Sequence, residues 1–172
     1  MPPSSDPRSW HAFRLIPPFP PQLILDRIFK GITEKVEQKG WFTRQLFYFC
    51  VNYKQTWVSR GFRTPLVDKF VFGAIKGMLG GRLRGMASGG APLSPDTHAF
   101  IRTCMACPLI QGYGLTETVA CATLMDWDSN TTGTSGAPLY CTDIKLQNWE
   151  EGNYRVTDKP NPRGEIIIGE PL

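Results

Sequence analysis

Two glycines, an aromatic ring, a hydroxyl and a carboxylate fall within the seven residues of QGYGLTE, residues 111–117. Glycine has no Cβ, so its backbone can approach a flat or anionic ligand closely. The Tyr113 ring can stack on a base, the Thr116 hydroxyl can bond a phosphate oxygen, and Glu117 can supply a hard oxygen ligand to Mg²⁺. The stretch therefore fits a nucleotide clamp, with a tight glycine turn capped by its own Thr and Glu as the alternative.

A second glycine-rich stretch, SGGAPLS at residues 88–94, precedes the first. Each stretch follows a short run that predicts a strand, RLRGMAS at 82–88 and PLIQGYG at 108–114. A helix that starts at Ser94 and runs to about Cys104 is predicted between them. Strand, loop, helix, strand, loop is α/β connectivity, in which ligands bind at the carboxyl ends of the strands. We therefore expect the two glycine stretches to lie side by side.

Three successive helices are predicted upstream, over residues 23–79. The first has apolar residues at helical spacing from Leu25 to Val36, and the third begins at Thr64 and Pro65, a cap and first-turn pair. The second carries a stripe of large apolar residues along one face. Core packing is the commoner role for such a stripe, and a channel for an alkyl chain is the alternative. The stripe comprises Phe42, Leu46, Phe49, Tyr53 and Trp57.

The two ends of the chain differ in class from its middle. Seven prolines fall within residues 1–21, which predicts a disordered leader, with a Pro-rich docking ligand as the alternative. Towards the other end, the alternating CTDIKLQN and the apolar GEIIIG flank the turn-rich EEGNYRVTDKPNPRG. That pattern is typical of a β hairpin or meander.

Composition is typical of a globular chain, and its charge is distributed unevenly. The 172 residues, 41% of them hydrophobic, can form one domain or part of one, and no apolar run approaches the roughly 18 residues of a membrane span. Residues 1–86 hold 14 Lys and Arg against 5 Asp and Glu, whereas residues 87–172 hold 5 against 10. The basic, aromatic first half could contact an anionic membrane, although solvated helix faces are the commoner explanation. No basic cluster argues for nucleic acid.

Three weaker patterns have structural explanations. Cys104 and Cys107, two of five cysteines, form a C-x-x-C without a second ligand pair, so buried free thiols are favoured over zinc. His98 is assigned no role, because a lone helical histidine is usually a surface or hydrogen-bonded residue. Residues 126–130 are spaced like calcium ligands, but the sixth position of such a loop lacks glycine and the twelfth lacks an acid. An exposed polar turn is predicted there.

Four motifs, in this order, together resemble those of the adenylate-forming acyl-CoA synthetases: SGGAPLS, QGYGLTE, SGAPL and PRGEIIIG. Longer strings are similar to the animal long-chain fatty acid CoA ligases of types 3 and 4, namely RIFKGITEKV, NYKQTWVSRGFRTPLVDKFVF, IKLQNWEEGNY and TDKPNPRGEIIIG. The resemblance covers residues 22–172. It implies an α/β fold that is part of the large N-terminal AMP-binding domain of these enzymes.

The resemblance implies a two-step reaction in which ATP, a long-chain fatty acid and coenzyme A give acyl-CoA, AMP and pyrophosphate through an acyl-adenylate. It also implies a location on the cytoplasmic side of intracellular membranes such as the endoplasmic reticulum. Matched position by position, Thr116 would bind phosphate and Glu117 would hold Mg²⁺, as the catalytic pair. The residues expected to border the adenine and the acyl carboxylate are Gly89, Gly90, Ala91 and Pro92, and those expected to hold the ring are Gln111, Gly112, Tyr113 and Gly114.

The same resemblance predicts that parts of the catalytic machinery lie outside this chain. The family's phosphate loop with its lysine would precede Leu23, whereas the ribose-binding aspartate, the hinge and the lysine-bearing C-terminal subdomain would follow Leu172. We therefore expect little or no ligase turnover by this chain alone. Two alternatives are a non-catalytic truncated isoform that acts as a membrane or partner interaction module, and a chain that does not fold independently.

Overall fold

The computed structural model describes residues 22–118 and 121–169, so the predicted disordered leader at residues 1–21 lies outside the described residues. Helices form the first part of the described chain, as the spacing of apolar residues predicts. None of the described helices combines the length and the apolarity needed to cross a membrane. The first two helices are α1 (Gln22–Glu37) and α2 (Trp41–Ser59). The third helix consists of three consecutive segments: α3 (Pro65–Val67), a π-helical segment (Asp68–Phe72) and α4 (Gly73–Met78). The last is α5 (Pro95–Met105).

The strands of the described residues are β1 (Met86–Ser88), β2 (Leu109–Tyr113), β3 (Thr123–Leu124), β4 (Ala137–Pro138), β5 (Asp143–Gln147) and β6 (Glu165–Gly169). They form two separate sheets. One has the order β1-β2-β3-β4, with β1 parallel to β2 and the other pairs antiparallel. The other is an antiparallel hairpin of β5 and β6, as the alternating sequence predicts. The predicted mixed α/β class is therefore confirmed, although only the last three residues of RLRGMAS form the first strand.

Helix α5 supplies the centre of the core. Its Phe100 ring meets Phe29 of α1 edge-on, with 4.7 Å between ring centroids, and meets Phe47 of α2 at 6.3 Å. Burial raises the pKa of Cys104 to about 12 and the pKa of Cys107, just beyond the helix, to about 11. Both side chains are therefore buried free thiols, as the sequence predicts.

The aromatic stripe of α2 is exposed, so the prediction that it packs in the core is wrong. Phe42 and Phe49 expose 72% and 66% of their surface, and Leu46 and Tyr53 expose 46% and 42%. The reason is that α2 carries large apolar side chains around most of its circumference, so helical spacing cannot select the face that meets α5. The face that the helix does bury comprises Phe47, Cys50, Val51 and Lys54.

Lys54 anchors this buried face. The residue is only 5% exposed, and its Nζ forms an ion pair with the Asp68 carboxylate of the π-helical segment. The same Nζ donates a hydrogen bond of 2.8 Å to the Thr103 carbonyl oxygen on α5. Burial lowers the pKa of Lys54, while the hydrogen bond and the charge of Asp68 oppose that shift. One ammonium group therefore joins three helices.

Candidate functional site

The two glycine stretches lie at the same edge of the four-stranded sheet. Strands β1 and β2 are parallel, and Ser88, the last residue of β1, is in register with Gln111 of β2. The SGGAPLS loop therefore leaves β1 beside the start of QGYG. Carboxyl ends of adjacent parallel strands are the usual place for ligands in open α/β sheets. The strand order explains why residues more than twenty positions apart in the sequence form one candidate site.

The first loop joins β1 to the start of α5. Gly90 has a φ of +82°, a left-handed conformation that glycine adopts without strain. Gly89 and Ala91 are half-buried, whereas Gly90 and Pro92 are exposed. At the end of the loop, the Ser94 hydroxyl accepts a hydrogen bond of 3.1 Å from the Thr97 amide and so caps α5, as predicted.

The second stretch runs from the buried end of β2 into solvent. Gln111 and Gly112 are buried, and Tyr113 and Gly114 are half-buried. A Cβ on Gly112 would lie only 3.0 Å from both the Thr123 carbonyl oxygen and a Leu124 methyl group. The close approach of β3 therefore favours glycine at position 112, in addition to the ring-binding role that the resemblance implies.

A short 3₁₀ turn, Thr116–Thr118, presents the predicted phosphate and metal ligands. The hydroxyl of Thr118 accepts a hydrogen bond of 2.8 Å from the Leu115 amide and donates one of 3.0 Å to the Leu115 carbonyl oxygen. The turn is thus closed by Thr118, which sequence reasoning did not single out, although a threonine three residues after the bonded residue is a known turn motif. Within the described residues, Thr116 and Glu117 are exposed and have no hydrogen-bond partner, so both side chains can accept a ligand.

Two buried polar atoms at this edge have no partner among the described residues. They are the Ser88 hydroxyl oxygen and the Gln111 side-chain oxygen, which belong to registered residues on neighbouring strands. A buried polar atom without a partner costs roughly 1–3 kcal/mol, so each of these atoms favours a partner that can reach it. The Gln111 oxygen is an acceptor and fits an N–H donor such as the amine of a nucleobase. The edge therefore fits a nucleotide better than an apolar ligand.

The metal chemistry of the site rests on one carboxylate. In the described part of the chain, no group of three or more His, Cys, Asp or Glu side chains is close enough to hold a metal ion. Glu117 alone suits Mg²⁺, which commonly takes one or two protein carboxylates and completes its shell with substrate phosphates and water. The donor set thus fits a metal that arrives with a nucleotide.

The remaining predicted candidates have structural roles. His98 Nε2 donates a hydrogen bond of 2.6 Å to the Leu109 carbonyl oxygen, which ties α5 to β2, and burial lowers the pKa of His98. Residues 126–130 form a surface turn, as predicted. Arg102 holds that turn by donating a hydrogen bond of 2.9 Å to the Ser129 carbonyl oxygen. Neither His98 nor the turn at residues 126–130 forms part of the candidate site at the glycine loops.

The chain matches known proteins over most of its length. The family model described as AMP-binding enzyme matches residues 16–172. "Long chain acyl-CoA synthetase 8" from Arabidopsis thaliana is 49% identical over 152 residues, which cover 85% of this chain and 21% of that protein. "Fatty acyl-CoA synthetase A" from Dictyostelium discoideum is 42% identical over 133 residues, which cover 77% of this chain and 20% of that protein. The chain thus spans about a fifth of the length of the curated relatives it matches.

Solved structures in the same comparison include the A domain of a carboxylic acid reductase from Segniliparus rugosus, in complex with AMP and a carboxylic acid. That domain is 27% identical, with a TM-score of 0.49, and the match covers 71% of this chain and 19% of that one. The family assignment rests on the sequence matches, because the family model takes in both glycine stretches and the β5–β6 hairpin. The chain belongs to the family of AMP-binding enzymes.

Proposed function

We propose that this chain contributes the adenine-binding and magnesium-binding part of a long-chain fatty acid CoA ligase. The observation that carries the proposal is the pair of unpartnered buried atoms of Ser88 and Gln111 at one edge of the sheet, from which the chain runs on to the exposed side chains of Thr116 and Glu117. The names of the relatives support long-chain fatty acids as the acyl substrates. The complete enzyme would convert ATP, fatty acid and coenzyme A into acyl-CoA, AMP and pyrophosphate.

The proposed chemistry proceeds in two steps. The fatty carboxylate attacks the α-phosphorus of ATP and displaces pyrophosphate, and the thiol of coenzyme A then displaces AMP from the acyl-adenylate. Negative charge builds on phosphate oxygens in both steps, so catalysis depends on positioning and on electrostatic stabilisation. Mg²⁺ held by Glu117 would neutralise part of that charge. Thr116 would donate a hydrogen bond to a phosphate oxygen, and Tyr113 would stack against the adenine.

Neither glycine loop supplies a cation of its own. Between residues 85 and 144, Arg102 is the only Lys or Arg in the sequence. Its guanidinium donates to the carbonyl oxygens of Ser129 and Asn130 at 2.9 and 3.1 Å. These segments therefore have no free positive charge for a triphosphate, which supports the proposal that the chain alone has little or no ligase turnover.

The first prediction concerns Glu117. Isothermal titration of the chain with a non-hydrolysable palmitoyl-adenylate mimic is expected to give saturable, Mg²⁺-dependent binding. Glu117→Ala should weaken that binding about tenfold and abolish its dependence on Mg²⁺, because a charged ligand to the metal is lost. Tyr113→Ala should weaken binding with and without Mg²⁺, because it removes only the stacking face.

The matched control is Glu34→Ala, which removes another exposed carboxylate, on α1. It should leave the titration unchanged. Equal binding by the Glu117→Ala variant and the unchanged chain, both shown by circular dichroism to be folded, would refute the magnesium assignment. Absence of heat from the folded, unchanged chain would refute the nucleotide site as a whole.

A second candidate function is contact with an anionic membrane surface, such as the cytoplasmic face of the endoplasmic reticulum. The exposed aromatic stripe of α2 favours it, because Phe42 and Phe49 are largely solvent-accessible on the basic half of the chain. Aromatic side chains beside Lys and Arg are typical of helices that lie in the membrane interface. The chain would then act as an interaction module, with or without nucleotide.

Vesicle co-sedimentation tests this second candidate. The chain is expected to sediment with phosphatidylserine vesicles at low salt and to be released at high salt, since surface charges are screened there. Phe42→Ser/Phe49→Ser should lower the bound fraction severalfold, because apolar insertion is lost. Tyr140→Ser, at a fully exposed aromatic residue outside the stripe, should change nothing. Equal sedimentation of both variants would exclude the stripe as the contact surface.

A further inference from the structure

Two cysteines lie at neighbouring ends of strands β3 and β4, and the candidate site uses neither of them. Cys141 is exposed and Cys121 is half-buried. The other three, Cys50, Cys104 and Cys107, belong to the buried core. Burial raises the pKa of each of these three thiols, which disfavours the thiolate that oxidants attack. An oxidant in solution therefore meets Cys141 and Cys121 first.

The backbone brings these two cysteines together at the carbonyl oxygen of Ala122. The Leu139 amide donates a hydrogen bond of 2.9 Å to this oxygen and so extends the pairing of β3 with β4 by one residue. The Thr142 amide donates to the Leu139 carbonyl oxygen at 3.0 Å, which closes a turn that contains Cys141. The Thr142 hydroxyl returns to the Ala122 oxygen at 2.9 Å. Cys121 and Cys141 are thus the chain neighbours of two residues that are bonded to each other.

The sulfur of Cys121 also contacts the second glycine stretch. It donates a hydrogen bond of 3.1 Å to the Thr123 carbonyl oxygen, and a Cβ on Gly112 would lie 3.4 Å from it. Burial raises the pKa of Cys121, and the charge of a Cys141 thiolate raises it further, as expected for two sulfurs that lie near each other. A change at the Cys121 sulfur therefore acts directly on the strand that holds Gln111 and Gly112.

We propose that Cys121 and Cys141 form a reversible disulfide when the chain meets a peroxide. The exposed Cys141 thiol attacks one oxygen of hydrogen peroxide, so that an S–O bond forms, the O–O bond breaks and water leaves. The Cys121 sulfur then attacks the sulfenic sulfur of Cys141, and its proton leaves with the hydroxyl group as water. The thiols lose two electrons and two protons, and one peroxide becomes two water molecules. Small thiols such as glutathione reverse the bond by exchange.

This bond is expected to weaken nucleotide binding at the neighbouring edge, a consequence that rests on the proposed function. To reach Cys141, the Cys121 sulfur must leave Gly112 and the Thr123 carbonyl oxygen. Thr116 and Glu117 lie in the segment between Gly112 and Cys121. A displacement at the end of that segment therefore shifts the side chains proposed to hold phosphate and Mg²⁺.

Mass spectrometry of the full chain tests the disulfide directly. After treatment with equimolar hydrogen peroxide, the chain is expected to lose about 2 Da and to yield one peptide pair linked through Cys121 and Cys141. The buried thiols are internal controls, because Cys50, Cys104 and Cys107 should all react with maleimide once the treated chain is unfolded. Dithiothreitol should restore the original mass.

Two serine variants test the order of attack and its consequence. Cys121→Ser should form no disulfide and should keep a sulfenic acid at Cys141, which dimedone traps. Cys141→Ser should react with peroxide severalfold more slowly, since burial disfavours the Cys121 thiolate. Oxidation of the unchanged chain should weaken binding of the palmitoyl-adenylate mimic roughly fivefold. The same treatment should leave the affinity of Cys141→Ser unchanged.

Three results would overturn the proposed disulfide: an unchanged mass after peroxide, a bond that joins two chains, and a bond that includes a buried cysteine. Equal affinity of the oxidised and reduced chains for the mimic would overturn the coupling to the nucleotide edge. If the untreated chain binds no mimic, the proposed function fails, whereas the mass measurement still decides whether the disulfide forms.

Discussion

Replacing Gly136 with alanine is expected to lower the free energy of unfolding by about 3 kcal/mol, since a left-handed backbone conformation and a steric clash act together. Gly136 has a φ of +84°, and a Cβ there would lie 2.0 Å from the Leu124 carbonyl oxygen and 2.3 Å from the Met125 nitrogen. Both are backbone atoms and cannot rotate away. The adjacent pair Ala137 and Leu124 joins β4 to β3, so the substitution should separate these strands. Urea denaturation followed by circular dichroism measures the loss.

Gly133→Ala is the matched control. Gly133 has a similar φ of +75°, but the nearest atom to its Cβ would be a ring carbon of Pro95 at 3.1 Å. Gly133→Ala should therefore lower the free energy of unfolding only by the cost of the left-handed backbone conformation, about 1–2 kcal/mol. Equal losses in the two variants would mean that the backbone of β3 does not press against Gly136.

Lys54→Ala is expected to destabilise the fold by about 3 kcal/mol, at the lower end of the values for a broken buried ion pair. The variant leaves the Asp68 carboxylate and the Thr103 carbonyl oxygen without their shared donor. The lower end applies because the Asp68 side chain is 34% exposed, so water can solvate it in part. Chemical denaturation of the variant and the unchanged chain at pH 7 provides the comparison.

Removing both charges distinguishes this cost from simple loss of packing. Lys54→Met/Asp68→Leu should recover most of the lost stability, because no uncompensated charge remains buried. Lys30→Ala, at an exposed position on α1, should change stability by less than about 0.5 kcal/mol. If Lys54→Ala behaves like Lys30→Ala, Lys54 does not join the helices as described.

Local sequence signals predict most of the helices and strands, because their ends are set by neighbouring residues. Ser94 and Pro95 define the start of α5, and the turn-rich segment between the alternating runs defines the β5–β6 hairpin. The buried face of α2 is a different kind of property. It depends on Lys54 finding Asp68 and Thr103, contacts that close only when helices distant in sequence meet. Periodicity carries no information about such partners.

The residues of the candidate site also fall into two groups, those that the sequence alone predicts and those that depend on contacts between distant strands. Residue type alone predicts Thr116 and Glu117 as ligands, because a hydroxyl and a carboxylate after paired glycines suit phosphate and metal. Ser88 has no such signal in the sequence. Its hydroxyl matters only because β1 and β2 are parallel and in register, which buries it beside Gln111 without a partner. Likewise, the preference for glycine at position 112 comes from the close approach of β3, a strand that the sequence does not predict.

The central place of α5 also sets an order of events during synthesis. Helices α1 and α2 emerge from the ribosome before α5, yet the rings of Phe29 and Phe47 pack against Phe100 of that later helix. At roughly 5–20 residues per second, the segment between Glu37 and Pro95 takes several seconds to translate. During that interval the nascent helices display both their future core and the aromatic stripe. Apolar surface that packs against α5 in the folded chain therefore stays uncovered until that helix has been made.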